Sequence, residues 1–151
     1  MAIKSPDRPR TILQETYRRF WEGFNLYTKC NLAFCKEFKV HPYPSVRSYQ
    51  DYHIGEPFHI VVGINFKNDE IRIGAYFSNL NSYRFWSEHG KQWLESYLNR
   101  HLSWKQFKTK GSIHTFKFIN LTEKQRWEKA YSTMADTMIQ LKKALMQDIK
   151  L

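Results

Sequence analysis

Residues 96–121 hold Arg100, Lys105, Lys108, Lys110 and Lys117 together with His101 and His114, and no acidic residue. Tyr97, Trp104, Phe107, Phe116 and Phe118 are interleaved with them. Cationic side chains neutralise phosphates, and a ring in the same segment stacks on an unpaired base, so this stretch has the make-up of a site for single-stranded nucleic acid. Half of the formal net charge of +10 falls within it. An excess of that size favours nucleic acid, anionic lipid or an acidic protein as partner. The expected contacts are Arg100, Lys105, Lys108, Lys110 and Lys117 on phosphate, with Trp104 or Phe107 available for stacking. The competing account turns the rings inward and leaves the lysines to solvate a hairpin edge, where charge discourages aggregation between strands.

A second candidate is the polar side of a sheet formed by the middle of the chain. His59, Asn65, Arg72 and Tyr76 alternate with apolar neighbours there, and share a surface with either Asp51 and His53 or Gln50 and Tyr52, depending on register. Such a face binds a ligand or is the wet side of a one-layer sheet.

Catalytic chemistry has weaker support. A helix, three strands, a helix and a strand is also the core order of restriction-endonuclease-like nucleases, which hold a divalent metal with carboxylates beside a lysine. Asp51 with Asp69, Glu70 and Arg72 is the nearest match, yet Asp69 and Glu70 fall in a turn and an arginine does not readily lose a proton. Two cysteines without paired metal spacing and six scattered histidines suggest no zinc site. Neither a phosphate-binding glycine loop nor a nucleophile elbow occurs. The sequence therefore leads us to expect no catalytic residue, no metal and no cofactor.

The elements that must position these residues are legible from periodicity. Phe58, Ile60, Val62, Ile64 and Phe66 alternate with polar or small residues, and after the turn 67–70 the alternation resumes with Ile71, Ile73, Ala75 and Phe77. This is an antiparallel hairpin with one apolar face, and residues 48–54 add an edge strand before it. Residues 104–107, a turn at Lys110 and Gly111, and a strand over 113–119 make a second, shorter hairpin.

Helices must cover the apolar face, because a hairpin cannot bury it alone. The first starts at a capping box, Thr11 to Gln14, and carries Leu13, Tyr17, Phe20, Phe24 and Tyr27 with Trp21 on one stripe, ending near Lys29. A short helical piece spans 32–38, and two prolines, Pro42 and Pro44, then exclude regular helix. Asn79 or Asn81 caps a second long helix through Trp86, Trp93, Leu94, Tyr97 and Leu98, interrupted at Gly90 and ending near Arg100. A second capping box, Thr122 to Gln125, opens the last helix, whose stripe is Trp127, Tyr131, Met134, Met138, Leu141 and Leu145. Running to about Asp148, on the order of 40 Å, it would extend beyond the sheet and leave a free end for a second subunit.

The fold expected is therefore α+β: a mostly antiparallel sheet of about five strands, a three-strand meander plus a second hairpin, packed by three main helices. With 151 residues the chain buries roughly 70% of its unfolded surface, enough for one domain over 11–151 after a mobile lead-in over 1–10. No stretch is apolar enough for a signal peptide or a membrane span, so a cytoplasmic protein with no membrane contact is expected. Cys30 and Cys35 are read as reduced, buried thiols.

The segments 17–24 (YRRFWEGF), 34–38 (FCKEF), 52–62 (YHIGEPFHIVV) and 71–77 (IRIGAYF), with the Trp127 helix after the last strand, resemble an uncharacterised bacterial and archaeal family, domain of unknown function 4268. The resemblance covers nearly the whole chain after the lead-in. Its members occur alone or appended to nuclease-like domains, which implies work near nucleic acid or in genome defence. This chain departs from the family at Gly74, Ala75 and Tyr76, where many relatives carry an acidic residue near the start of the corresponding segment. The family supplies no active-site residues to transfer.

Together these readings lead to a non-catalytic module that associates with DNA or RNA in DNA processing or genome defence. The alternative is a structural or protein-interaction domain, a homodimer through the last helix or a basic partner of an acidic protein. A metal-dependent nuclease ranks below both.

Overall fold

The computed structural model of the chain describes residues 9–55 and 57–147. The expected lead-in lies mostly outside the described residues, as does Asp148. Five strands form one antiparallel sheet: β1 (Tyr49–His53), β2 (Phe58–Asn65), β3 (Glu70–Phe77), β4 (Ser103–Gln106) and β5 (Gly111–Phe118). Their spatial order is β1-β2-β3-β5-β4, so the meander and the second hairpin join through the β3–β5 pair. The α+β reading holds.

The first three helices each begin where a side chain satisfies free amides. In α1 (Ile12–Lys29) the Thr11 hydroxyl accepts from the Gln14 amide at 3.1 Å and the Gln14 side chain accepts from the Thr11 amide at 3.0 Å, the capping box read from the sequence. Asn31 caps α2 (Leu32–Glu37), and Asn79 caps α3 (Leu80–Phe85). A π-helical turn, Trp86–Gly90, then leads into α4 (Lys91–Leu98). The interruption falls at Gly90, the weakest helix former of the segment. Asn99, at φ 51°, ends α4 in the left-handed conformation that asparagine tolerates.

The helices lie on one face of the sheet. Ile60, Val62, Ile64, Ile71, Ile73, Ala75, Phe77 and Ile113 point into a single core with Phe20, Trp21 and Phe24 of α1, Leu94 and Leu98 of α4, and the buried side of α5 (Trp127–Leu145). Gln50 and Tyr52 of β1 belong to this covered side, which leaves Asp51 and His53 on the other. Gln50 is buried at no cost in hydrogen bonds, since its amide meets Asn25, Tyr52 and the Ser45 amide.

Four expectations need correcting. Leu13, at the start of the α1 stripe, is 52% exposed, because α1 meets the core only from Tyr17 onward. The second capping box does not form: Thr122 contacts Asp69 and Asn120 instead, a 3₁₀ turn spans Lys124–Arg126, and α5 begins at Trp127. Cys30 and Cys35 are free but exposed, lying at the α1–α2 junction away from the core. Finally, α5 has 19 residues, about 28 Å, shorter than the length expected, and Leu145 near its end is part of the chain's own core.

Candidate functional site

The uncovered face of the sheet is ordered in register rows. His53, His59, Tyr76, Ser112 and Lys105 stand opposite one another across all five strands. The next row is Asp51, Val61, Gly74, His114 and Ser103, followed by Tyr49, Gly63, Arg72 and Phe116, and then Asn65, Glu70 and Phe118. At about 4.8 Å per strand, the first row is roughly 19 Å wide.

Rings fill this face. His53 and His59 lie 5.0 Å apart, His59 stacks on Tyr76 at 5.5 Å, and Tyr76 meets His114 edge-on at 5.2 Å. His114 Nε2 is 3.1 Å from the Tyr76 hydroxyl. One glycine, Gly74, makes the arrangement possible. His114 lies across Gly74, where a Cβ would clash with the imidazole, and the Arg72 guanidinium lies across Gly63, 3.5 Å from where a Cβ would be. Phe116 and Phe118 continue the series and are 46% and 77% exposed. The Ser112 hydroxyl, buried in the first row, is the single buried side-chain polar atom among the described residues without a hydrogen-bond partner.

Electrostatics on this face favour the neutral form of His59 and His114. Burial, with the nearby charges of Arg72 and Lys105, lowers the pKa of His114 to about 4. Burial also lowers that of His59; Asp51, 3.9 Å away, opposes the shift while His53 and Lys110 add to it. An ordinary imidazole takes up its proton near 6.5, so between that pH and about 4 the unfolded chain binds a proton that folded His114 refuses. The stability His114 contributes is complete above about 6.5 and declines as pH falls towards 4. Allowing for water that still reaches the ring, the loss is on the order of 2 kcal/mol, and His59 acts in the same direction. Urea melts at pH 7 and pH 4.5 should show this loss in the wild type and a smaller one in His114→Gln. Equal losses in the two proteins would contradict the assignment.

The seven residues expected to contact nucleic acid fall in three places. Lys105, Phe107, Lys108 and Lys110 share the exposed β4–β5 hairpin, which the Phe107 amide closes by donating to the Lys110 carbonyl at 2.8 Å. Lys105 Nζ lies over the Phe107 ring at 5.6 Å. Trp104 faces the helices: its Nε1 donates to Glu95 at 3.4 Å, Lys91 lies over its ring, and Tyr83 packs beside it. Arg100, half-buried, follows the end of α4, where its amide donates to the Glu95 carbonyl. Lys117 stands opposite Ile71, on the register face of the helices and at the far end of β5.

The carboxylates weighed for a metal are dispersed. Asp69, at φ 49° in the β2–β3 turn, accepts from the Leu121 amide at 3.0 Å and fastens the start of the last helical segment. Asp51 faces His59, whereas Glu70 stands two strands away and four residues further along, roughly 16 Å distant by strand geometry. Among the described residues, no three His, Cys, Asp or Glu side chains come together to hold an ion.

Phe116 and Phe118 were not singled out from the sequence as contacts, although the signal was there. In β5 they alternate with Ile113, Thr115 and Lys117, so a period of two puts them on the face opposite the buried Ile113. Among the described residues no helix is long and apolar enough to cross a membrane. No curated protein and no solved structure matches the chain. The family model described as Domain of unknown function (DUF4268) matches residues 16–148, from the first turns of α1 to just past α5, and the chain belongs to that family.

Proposed function

We propose that this domain is a non-catalytic nucleic-acid-associated module, acting in the cytoplasm in DNA processing or genome defence. One observation carries the reading. Lys105, Lys108 and Lys110 stand exposed together on one hairpin, and among the described residues none of them is in an ion pair. The arginines of α1, by contrast, are engaged by neighbouring carboxylates, Arg18 by Glu15 and Glu22 and Arg19 by Glu15. Cations not engaged by carboxylates on a projecting turn remain free to displace the counterions of a phosphate backbone. Phe107, 43% exposed beside them, supplies a ring; Trp104 is held by Glu95 and takes no part.

The double variant Lys108→Glu/Lys110→Glu tests this. Affinity should fall roughly ten- to hundredfold at physiological salt for every sequence alike, and the slope of log affinity against log salt should flatten by about two. Unchanged affinity and slope would remove the hairpin from the site.

A protein-interaction role draws on a different surface. An apolar hollow at the α1–α2 junction is lined by Leu26, Tyr27, Leu32 and Tyr131, with Leu26 63% and Leu32 81% exposed. This surface does not involve the basic hairpin.

A further inference from the structure

The outward side of β5 has a feature that phosphate binding alone does not use. Large apolar rings on a solvated sheet face normally turn inward or lie under another layer, yet Phe116 and Phe118 occupy successive outward positions of β5 with much of their surface in solvent. Arg72 stands opposite Phe116, and His114 leads the series back towards Tyr76 and the hairpin lysines. We propose that this side of β5 is a base-stacking track, and that the nucleic acid it takes is a single strand: phosphates on Lys105, Lys108 and Lys110, bases over Phe116 and Phe118.

Geometry and charge both fit that occupant. Outward residues recur about every 6.8 Å along a strand, so each exposed ring has room for one base. From the hairpin end to Phe118 the track runs roughly 20 Å, enough for two or three bases of the kind other sheet surfaces stack on aromatic rings. Cations border it at Lys105, Lys110 and Arg72; acidic groups on this face stand at Asp51, beside His59, and at Glu70, opposite Phe118. The two phenylalanines discriminate little between base types, because every base has a π face. A duplex keeps its bases stacked inside and offers only phosphates, so it reaches the hairpin but not the rings. The inference rests on the nucleic-acid reading above and adds to it the class of ligand.

The test compares the wild type, Phe116→Ala, Phe118→Ala and Lys108→Glu/Lys110→Glu for binding to labelled oligo(dT), oligo(rU) and a mixed-sequence duplex of equal length. Both phenylalanines are exposed, so their variants should melt like the wild type. The wild type should prefer single strands by about tenfold or more, and each Phe variant should lose most of that preference while duplex affinity stays within about twofold. The lysine variant should weaken single strand and duplex together. Ultraviolet crosslinking to bromouracil in the strand should map to the peptide carrying Phe116 and Phe118.

If the lysine variant loses binding while the Phe variants keep the wild-type ratio, the stacking track is wrong and the module itself survives. Absence of binding by the wild type overturns both readings. Self-association that vanishes in Phe116→Ala, without any nucleic-acid binding, would reassign the rings to a protein contact.

Discussion

Replacing Phe20 by alanine should cost about 4 kcal/mol of stability, read as a lower urea midpoint with an unchanged slope. Phe20 is fully buried and is the ring on which the aromatic core converges, touching Trp21, Phe66, Trp127 and Tyr131 at centroid distances of 5.0 to 6.0 Å. These partners come from α1, the β2–β3 turn and α5, so one cavity loosens three elements at once. The surroundings have little means of collapsing: the Tyr131 hydroxyl donates to the Phe20 carbonyl at 2.8 Å, and Gly23 is glycine because the Tyr131 ring occupies the space of a Cβ. Phe20→Leu, which retains most of the volume, should cost about 1.5 kcal/mol. A loss below about 1 kcal/mol in Phe20→Ala would mean that the core does not close on this ring. Since domains of this size are stable by about 5–15 kcal/mol, the alanine variant should still fold at low temperature.

Gly74→Val should cost a similar amount, on the order of 3–4 kcal/mol, and should also disturb the open face. A Cβ at Gly74 would lie 2.7 Å from the Ile113 carbonyl of the adjacent strand and would collide with the His114 imidazole. The carbonyl belongs to the β3–β5 ladder and cannot move far, so the strain must separate the central pair or expel the ring. In the second case the Tyr76–His114 hydrogen bond is lost and the imidazole becomes solvated. The expected reading is a lower midpoint together with an upward move of the His114 pKa from about 4 towards its ordinary value, followed by the imidazole proton resonances. A variant of wild-type stability with His114 unchanged would show that the face is not built around this glycine.

Most of the scaffold was legible because its signals are local. The alternation through β2 and β3, the capping box at Thr11 and the glycine at position 90 each act over a few residues and fix strand, helix start and interruption. The box at Thr122 misled because its competitor is distant in sequence: Asp69, 53 residues earlier, takes the Thr122 hydroxyl and the Leu121 amide. The stripe position of Leu145 was legible, and the residue is buried in the core. Its helical spacing marks an apolar stripe but does not reveal whether the stripe is spent on this chain or on another.

The arrangement of the candidate site was half legible. Composition located the hairpin lysines, since charge without acid is a linear property of the chain, but it could not orient Trp104 or Lys117, whose directions follow from the β3–β5 and β4–β5 registers. Register also decided that His53 and Asp51, and not Gln50 and Tyr52, share the open face with His59 and Tyr76. The exposure of Phe116 and Phe118 depends on all the helices packing against the other face, which no local pattern states.

The most direct test of the account is a fluorescence-anisotropy titration of the wild type against short labelled DNA and RNA strands and a duplex, stepped from low to physiological salt with and without Mg²⁺. The account predicts binding that persists at physiological salt, weakens linearly on a log–log plot, favours single strands, is indifferent to Mg²⁺ and leaves the strands uncut. Binding that disappears for every strand before physiological salt would reduce the basic hairpin to nonspecific charge and contradict the account, and Mg²⁺-dependent cleavage would contradict its non-catalytic part.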